Sequence, residues 1–209
     1  NPATPIAMLE ELAKDKEVDY RKSVAENPST PIAIREALLE ELAKDSDPWI
    51  RRSAAKTTST PAALLEALAK DKNSDVRHAV AENPSSPAAL LEALAKESDL
   101  TIRRNVLRHP STPLNVQKAL LEALAQETDK WDRKSVAENP STPVEVLQAL
   151  ATDTEVVVRL AVAKNMSTPS AIREALLEAL HGEPDVTVRE SVAWNTCTPV
   201  STLEPLAKD

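Results

Sequence analysis

The chain has no Phe, one Tyr, three Trp, one Gly and one Cys in 209 residues, and each shortage excludes something. With so few aromatics, the core must be built from Leu, Val, Ile and Ala, for which the 42% apolar content is sufficient. A single glycine, Gly182, leaves no glycine-rich loop to wrap a phosphate, because that contact needs close backbone approach and positive φ. The lone Cys197 excludes an intrachain disulfide and a cysteine-based metal cluster. It is compatible with a reducing compartment, and the expected location is the cytoplasm. His78, His109 and His181 occupy non-equivalent places, and no His or Cys pair has metal-ligand spacing, so neither a metal nor a cofactor is expected. No run approaches the ~20 apolar residues that span a bilayer, and no signal segment opens the chain, so no membrane partner is expected. Net charge is −8, which disfavours nucleic acid, since phosphate binding rests on clustered cations.

Proline, by contrast, is abundant at 16 residues, and it marks a repeat. The octapeptide VAENPSTP occupies positions 24–31 and returns unchanged at 136–143. Near copies are VAENPSSP at 80–87, VLRHPSTP at 106–113, VAKNMSTP at 162–169 and VAWNTCTP at 192–199. Counted from the closing proline, the repeats span 5–30, 31–60, 61–86, 87–112, 113–142, 143–168 and 169–198, with partial repeats at 1–4 and 199–209. Their lengths are 26 or 30 residues, and the difference is always a four-residue insertion, REAL or QKAL. Four residues are close to one turn of 3.6, so the insertion lengthens a helix while nearly keeping its buried face. The expectation is one all-α array over 1–209.

Each repeat reads as two helices. Helix A is expected to start with a Thr such as Thr30 as N-cap and the following Pro31 at the first helical position. Its apolar stripe in the second repeat is Ile34, Leu38, Leu39, Leu42 and Ala43, and its acidic face carries Glu10, Glu11, Glu40, Glu41, Glu66, Glu92, Glu122 and Glu178. Helix B is short, of α or 3₁₀ type, follows caps such as Asp47, Asp99, Asp129 or Asp185, and stops at the Asn because the next residue is proline. The octapeptide is therefore the end of one helix and the start of the next, and His109, standing for the Asn in one copy, is a helix-end residue.

Every helix B carries an Arg: Arg21, Arg51, Arg77, Arg103, Arg133, Arg159 and Arg189. Six residues before each lies an acid: Asp15, Asp45, Asp71, Glu97, Glu127, Asp153 and Glu183. Seven catalytic arginines make little sense, whereas a structural ladder, each Arg bonding helix-end carbonyls and acids of its own or the next repeat, satisfies groups that stacking buries. Ser23, Ser53, Ser135 and Ser191, two after the Arg, read as small packing residues with no His to activate them. No catalytic residue is expected. Asn165-Met166-Ser167 is a glycosylation sequon that coincides with the repeat motif.

The pattern STPxxLLxALAxDxxxxVRxxVAxNP resembles the leucine-rich repeat variant family of bacterial α-solenoids, and its acid-to-Arg spacing is similar to that of HEAT repeats. The resemblance covers the whole chain. It implies a right-handed superhelical α-solenoid of two-helix repeats. Repeats of 26 and 30 residues are longer than the family's usual unit, and the cysteine-rich iron–sulphur module of some members has no counterpart here.

In a solenoid, binding surfaces are composed from positions that vary between similar repeats. Two before, one after and five after the ladder Arg, helix B carries such positions on one face, and all three tryptophans fall there. The candidate ligand-binding residues are Trp49, Arg52, Lys56, His78, Arg104, Arg108, Trp131, Lys134 and Trp194, a composition typical of interface hot spots. The expected partner is a protein or peptide. A competing reading makes the chain a spacer with no ligand, since each Trp lies in a 30-residue repeat and could cover the extra turn of its own helix A. A more distant one is nucleic-acid binding or a HEAT-like DNA glycosylase, with Trp131 beside Asp132. The face holds seven cations against six anions, which is poor for tracking phosphates. The opening NPATP reads as the tail of a repeat cut from a longer array, Pro205 is expected to kink or stop the last helix, and open solenoid ends allow end-to-end self-association.

Overall fold

A computed structural model describes residues 3–206, and no β-strand occurs among them. The helices in order are α1 (Ile6–Leu12), α2 (Val18–Glu26), α3 (Ile32–Leu42), α4 (Pro48–Lys56), α5 (Ala62–Leu68), α6 (Ser74–Glu82), α7 (Ala88–Leu94) and α8 (Leu100–Arg108). They continue with α9 (Leu114–Leu124), α10 (Lys130–Glu138), α11 (Val144–Leu150), α12 (Val156–Lys164), α13 (Ser170–Leu180), α14 (Val186–Ala193) and α15 (Val200–Leu206). Odd numbers are the A helices and even numbers the B helices. The A helices α3, α9 and α13 have 11 residues, against 7 in α5, α7 and α11, so the insertion adds one turn. Helix B is an α-helix, nine residues long in α2, α4, α6, α8, α10 and α12.

Two compact units divide the chain, residues 1–116 and residues 117–209. In the first, α4 packs on α6 and α6 on α8; in the second, α12 packs on α10, α13 and α14. The core repeats with the sequence. A leucine at the same place in each helix A from α1 to α13 is buried, as Leu9, Leu39, Leu65, Leu91, Leu121, Leu147 and Leu177, and so is the first motif residue, as Val24, Ala54, Val80, Val106, Val136, Val162 and Val192. Each fully buried Leu contributes roughly 1.5–3 kcal/mol. The acidic glutamates of helix A all face solvent.

The helix-A start differs from the expectation by one residue. Proline, not threonine, is the N-cap: Pro31 has φ −53° and ψ 138°, and its carbonyl accepts from Ile34 and Arg35 N–H. Thr30 instead donates its hydroxyl backwards, to the Val24 carbonyl at 2.6 Å, and is buried. The same bond recurs from Thr60, Ser86, Thr112, Thr142, Thr168 and Thr198, each to a carbonyl in the preceding helix B. The Thr therefore adds a second donor to a carbonyl near the end of helix B, which already accepts from the N–H three residues on, rather than satisfying an N–H of helix A. Helix B is capped as expected: Asp47, Asp99, Asp129 and Asp185 each accept from the N–H two residues on.

The serines also differ. Ser23 and Ser135 are exposed, and Ser23 and Ser53 donate to carbonyls four residues back, so they bond their own helix rather than packing. Helix α15 extends one residue past Pro205; residues 1–2 and 207–209, which bear on the expectations for the two ends, lie outside the described residues.

Candidate interaction surface

What holds the repeats together defines, by subtraction, which side chains are left to bind anything. The motif Asn is the first such holder. Asn83 is 2% exposed; its Nδ2 donates to Ala55 O at 2.6 Å and Thr57 O at 3.0 Å in the preceding repeat, while its Oδ1 accepts from Ser85 N–H at 2.8 Å. Asn165 does the same with Ala137 O, Asn139 O and Ser167 N–H, and Asn195 reaches Ala163 O. His109 is the chemical equivalent: Nε2 bonds Asn83 O at 2.8 Å and Nδ1 accepts from Ser111 N–H. One donor and one acceptor at fixed spacing suffice, and both side chains supply them. Sequence reasoning read this Asn as a proline-directed stop, but Asn165 and Thr57 end their helices with ψ near 121° and 122° although no proline follows them. The signal that could have revealed the ladder was the exchange of Asn for His at a constant position. Because both amide atoms of Asn165 are engaged and the residue is 6% exposed, the sequon is closed in the folded chain.

The arginines form the second holder. Arg51 donates Nε and Nη2 to the two carboxylate oxygens of Asp71 at 2.6 and 2.9 Å, and Nη1 to the carbonyls of Asp45 and Ser46. Arg77 pairs with Glu97, Arg133 with Asp153 and Arg159 with Glu183, in each case the acid of the next repeat. Arg21 lies 3.2 Å from the exposed Glu41 rather than reaching Asp45. Arg21, Arg77, Arg133, Arg159 and Arg189 also hold carbonyls five and six residues back, in the connection between their own helices A and B. Arg103 and Glu127 are likewise engaged.

The Arg51 guanidinium holds the Asp71 carboxyl below the usual carboxylate range, against the opposing effect of burial, and Arg133 does the same to Asp153. Burial would raise the Asp99 carboxyl, but the His78 hydrogen bond and the Ile102 and Thr101 N–H groups outweigh it and leave it lowered. All three are depressed in the folded state, so their stabilisation is complete above the unfolded value of about 3.9 and is lost as pH falls through the folded values. Denaturant melts should show a plateau at neutral pH and a steep loss beginning near pH 4, and Asp71→Asn should flatten that loss while lowering the plateau.

The remaining outward positions of helix B are those picked out by their variation. Trp49, Trp131 and Trp194 are 62%, 58% and 86% exposed. Arg52 stacks over the Trp49 ring at 4.7 Å and Lys130 over Trp131 at 5.8 Å, cation–π contacts worth ~0.5–1 kcal/mol at exposed sites. In residues 1–116, Lys56 lies 3.8 Å from Glu82 and His78 3.0 Å from Asp99, while Arg108 is exposed and Arg104 has a partner. In residues 117–209, Lys134 pairs with Glu138 and Lys130 with Glu155. Much of the positive charge is thus answered locally. Trp131 points outward, but its neighbour Asp132 is 3% exposed and already engaged, so the two do not face one opening. No group of three or more His, Cys, Asp or Glu side chains suited to a metal ion occurs among the described residues, and no helix there is long and apolar enough to cross a membrane.

A solved structure described as a leucine-rich repeat variant with a novel repetitive structural motif superposes on this architecture with TM-score 0.61 and 25% identity, covering 92% of this chain and 72% of that one. The chain has the leucine-rich repeat variant fold. Two engineered proteins also match, at 17% identity, 98% and 68% coverage and TM-score 0.45, and at 18% identity, 97% and 96% coverage and TM-score 0.33, too loosely to bear on it further. No family model and no curated protein matches the sequence. In this fold Asn83, Asn165, Asn195, His109 and the arginines Arg51, Arg77, Arg133 and Arg159 bond neighbouring repeats, whereas the tryptophans are exposed.

Proposed function

We propose that this leucine-rich repeat variant is a non-enzymatic scaffold that binds a protein or peptide along the outward face of its B helices, through Trp49, Arg52, Lys56, His78, Arg104 and Arg108 in residues 1–116 and Trp131, Lys134 and Trp194 in residues 117–209. The single thiol suits a reducing compartment such as the cytoplasm. The observation that carries the reading is the exposure of all three tryptophans, each above half. A Trp kept to cover the extra turn of helix A would surrender most of its surface to that turn, and an exposed Trp beside Arg is the usual composition of an interface hot spot. The spacer alternative gives these rings nothing to do.

A peptide array probed with the wild-type chain and with the Trp49→Ala, Trp131→Ala and Trp194→Ala variants tests it. Specific peptides should be retained by the wild type and weakened by about 2 kcal/mol or more on loss of the Trp that contacts them. No retained peptide, or retention indifferent to all three substitutions, sinks the proposal. Strong salt-sensitive retention of DNA would favour the nucleic-acid reading instead.

A further inference from the structure

We infer that the groove between α12 and α14 takes a peptide segment that sets a single carboxylate beside an aliphatic or aromatic side chain. The inference rests on the reading of the helix-B face as a binding face and names the partner chemistry at one point of it.

Five residues after the ladder Arg, residues 1–116 alternate in charge: Glu26, Lys56, Glu82, Arg108. The alternation is used, since Lys56 Nζ lies 3.8 Å from Glu82 Oε2 on the next B helix. Residues 117–209 begin the same way with Glu138 and Lys164, but the next position is Trp194 where an acid would continue the series. Lys164 is exposed and forms no ion pair among the described residues. Between it and Trp194 opens a groove of about 420 Å³, also lined by Met166, Thr187 and Glu190. Trp194 is 86% exposed and Met166 74%, so the groove offers apolar surface and one unanswered ammonium together.

The equivalent groove between α6 and α8 shows what an answered site looks like. It is smaller, about 230 Å³, and there Glu82 accepts from Asn105 Nδ2 while no large apolar side chain lines it. At the Lys164 groove, a partner carboxylate would restore the missing rung, and an apolar side chain beside it would cover the Trp194 ring and the Met166 thioether. Glu190 sets the limit. As the one acid on the groove wall it repels a second negative charge, so the segment carries one carboxylate and is not a polyanion.

The probe is an array of octapeptides in which an aliphatic or aromatic residue neighbours Asp or Glu, alongside the same peptides with Asn or Gln, and with Lys, in place of the acid. The wild-type chain should retain the acidic set best. Lys164→Glu should lower that retention roughly tenfold and shift preference to the Lys set, because reversal replaces attraction by repulsion. Trp194→Ala should lower it about thirtyfold, the loss of a hot-spot aromatic. Wild-type retention indifferent to the acid, or unchanged in both variants, overturns the inference. If peptides are then still bound and lost in Trp49→Ala or Trp131→Ala, the helix-B face remains a binding face and only this groove assignment fails. If the wild type retains no peptide of any set, both fail together.

Discussion

Asn83→Ala lowers the unfolding free energy by about 2–4 kcal/mol, although the substitution removes little apolar surface. The side chain is buried and satisfies three backbone groups, the carbonyls of Ala55 and Thr57 and the N–H of Ser85. Alanine leaves the Ala55 carbonyl and the Ser85 N–H without these partners and the Thr57 carbonyl with only the Thr60 N–H, and an orphaned buried polar group costs more than a hydrogen bond contributes. Asn83→Asp should be at least as costly, because it keeps the acceptor for Ser85 but turns a carboxylate toward two carbonyls. Asn83→His should cost much less, since His109 makes the corresponding pair of bonds one repeat later. Urea melts of the three variants check the order. Equal losses for alanine and histidine would mean that volume, not hydrogen bonding, decides the position.

Arg51→Ala is expected to cost about 3–5 kcal/mol, the usual penalty for stripping one partner from a buried ion pair. Arg51 and Asp71 side chains are both 9% exposed, and the pair is bidentate. Arg51→Lys should recover little, since a point charge cannot give Asp71 two parallel bonds while holding the Asp45 and Ser46 carbonyls. Arg51→Met combined with Asp71→Leu should recover part of the loss by removing the uncompensated charge, but not the part due to those two carbonyls. A double-mutant cycle in denaturant measures both, and a coupling near zero would show that the pair is solvated. Arg21, whose partner Glu41 is 60% exposed, is the internal comparison, and Arg21→Lys should cost less than Arg51→Lys, losing the hold on the Asp15 and Lys16 carbonyls but no buried ion pair.

Most of the helical layout was readable because one pattern repeats: helix-spaced apolar residues, with a four-residue insertion that adds about one turn and so keeps Leu39, Leu121 and Leu177 in the core. The ladder arginines were readable for the same reason, as recurrence at fixed spacing from an acid. Cap register was not. Thr30 and Pro31 are both plausible helix starts locally, and what decides between them is the Val24 carbonyl, an acceptor in the previous helix. The Asn ladder was hidden likewise, because the partners of Asn83 lie 26 and 28 residues back. Whether the tryptophans were core or surface could not be read from spacing, since a ring on helix B can lie flat over helix A or project outward from the same position.

The division of labour between a stacking motif and a free outer face is tested most directly by thermal melting of Asn83→Ala and Trp49→Ala side by side. Asn83→Ala should melt several degrees below the wild type, at roughly 2–4 °C per kcal/mol for a chain of this size, whereas Trp49→Ala should melt at the wild-type temperature. A Trp49→Ala variant that melts as low as Asn83→Ala would make the tryptophan part of the fold and leave the outer face without a binding role.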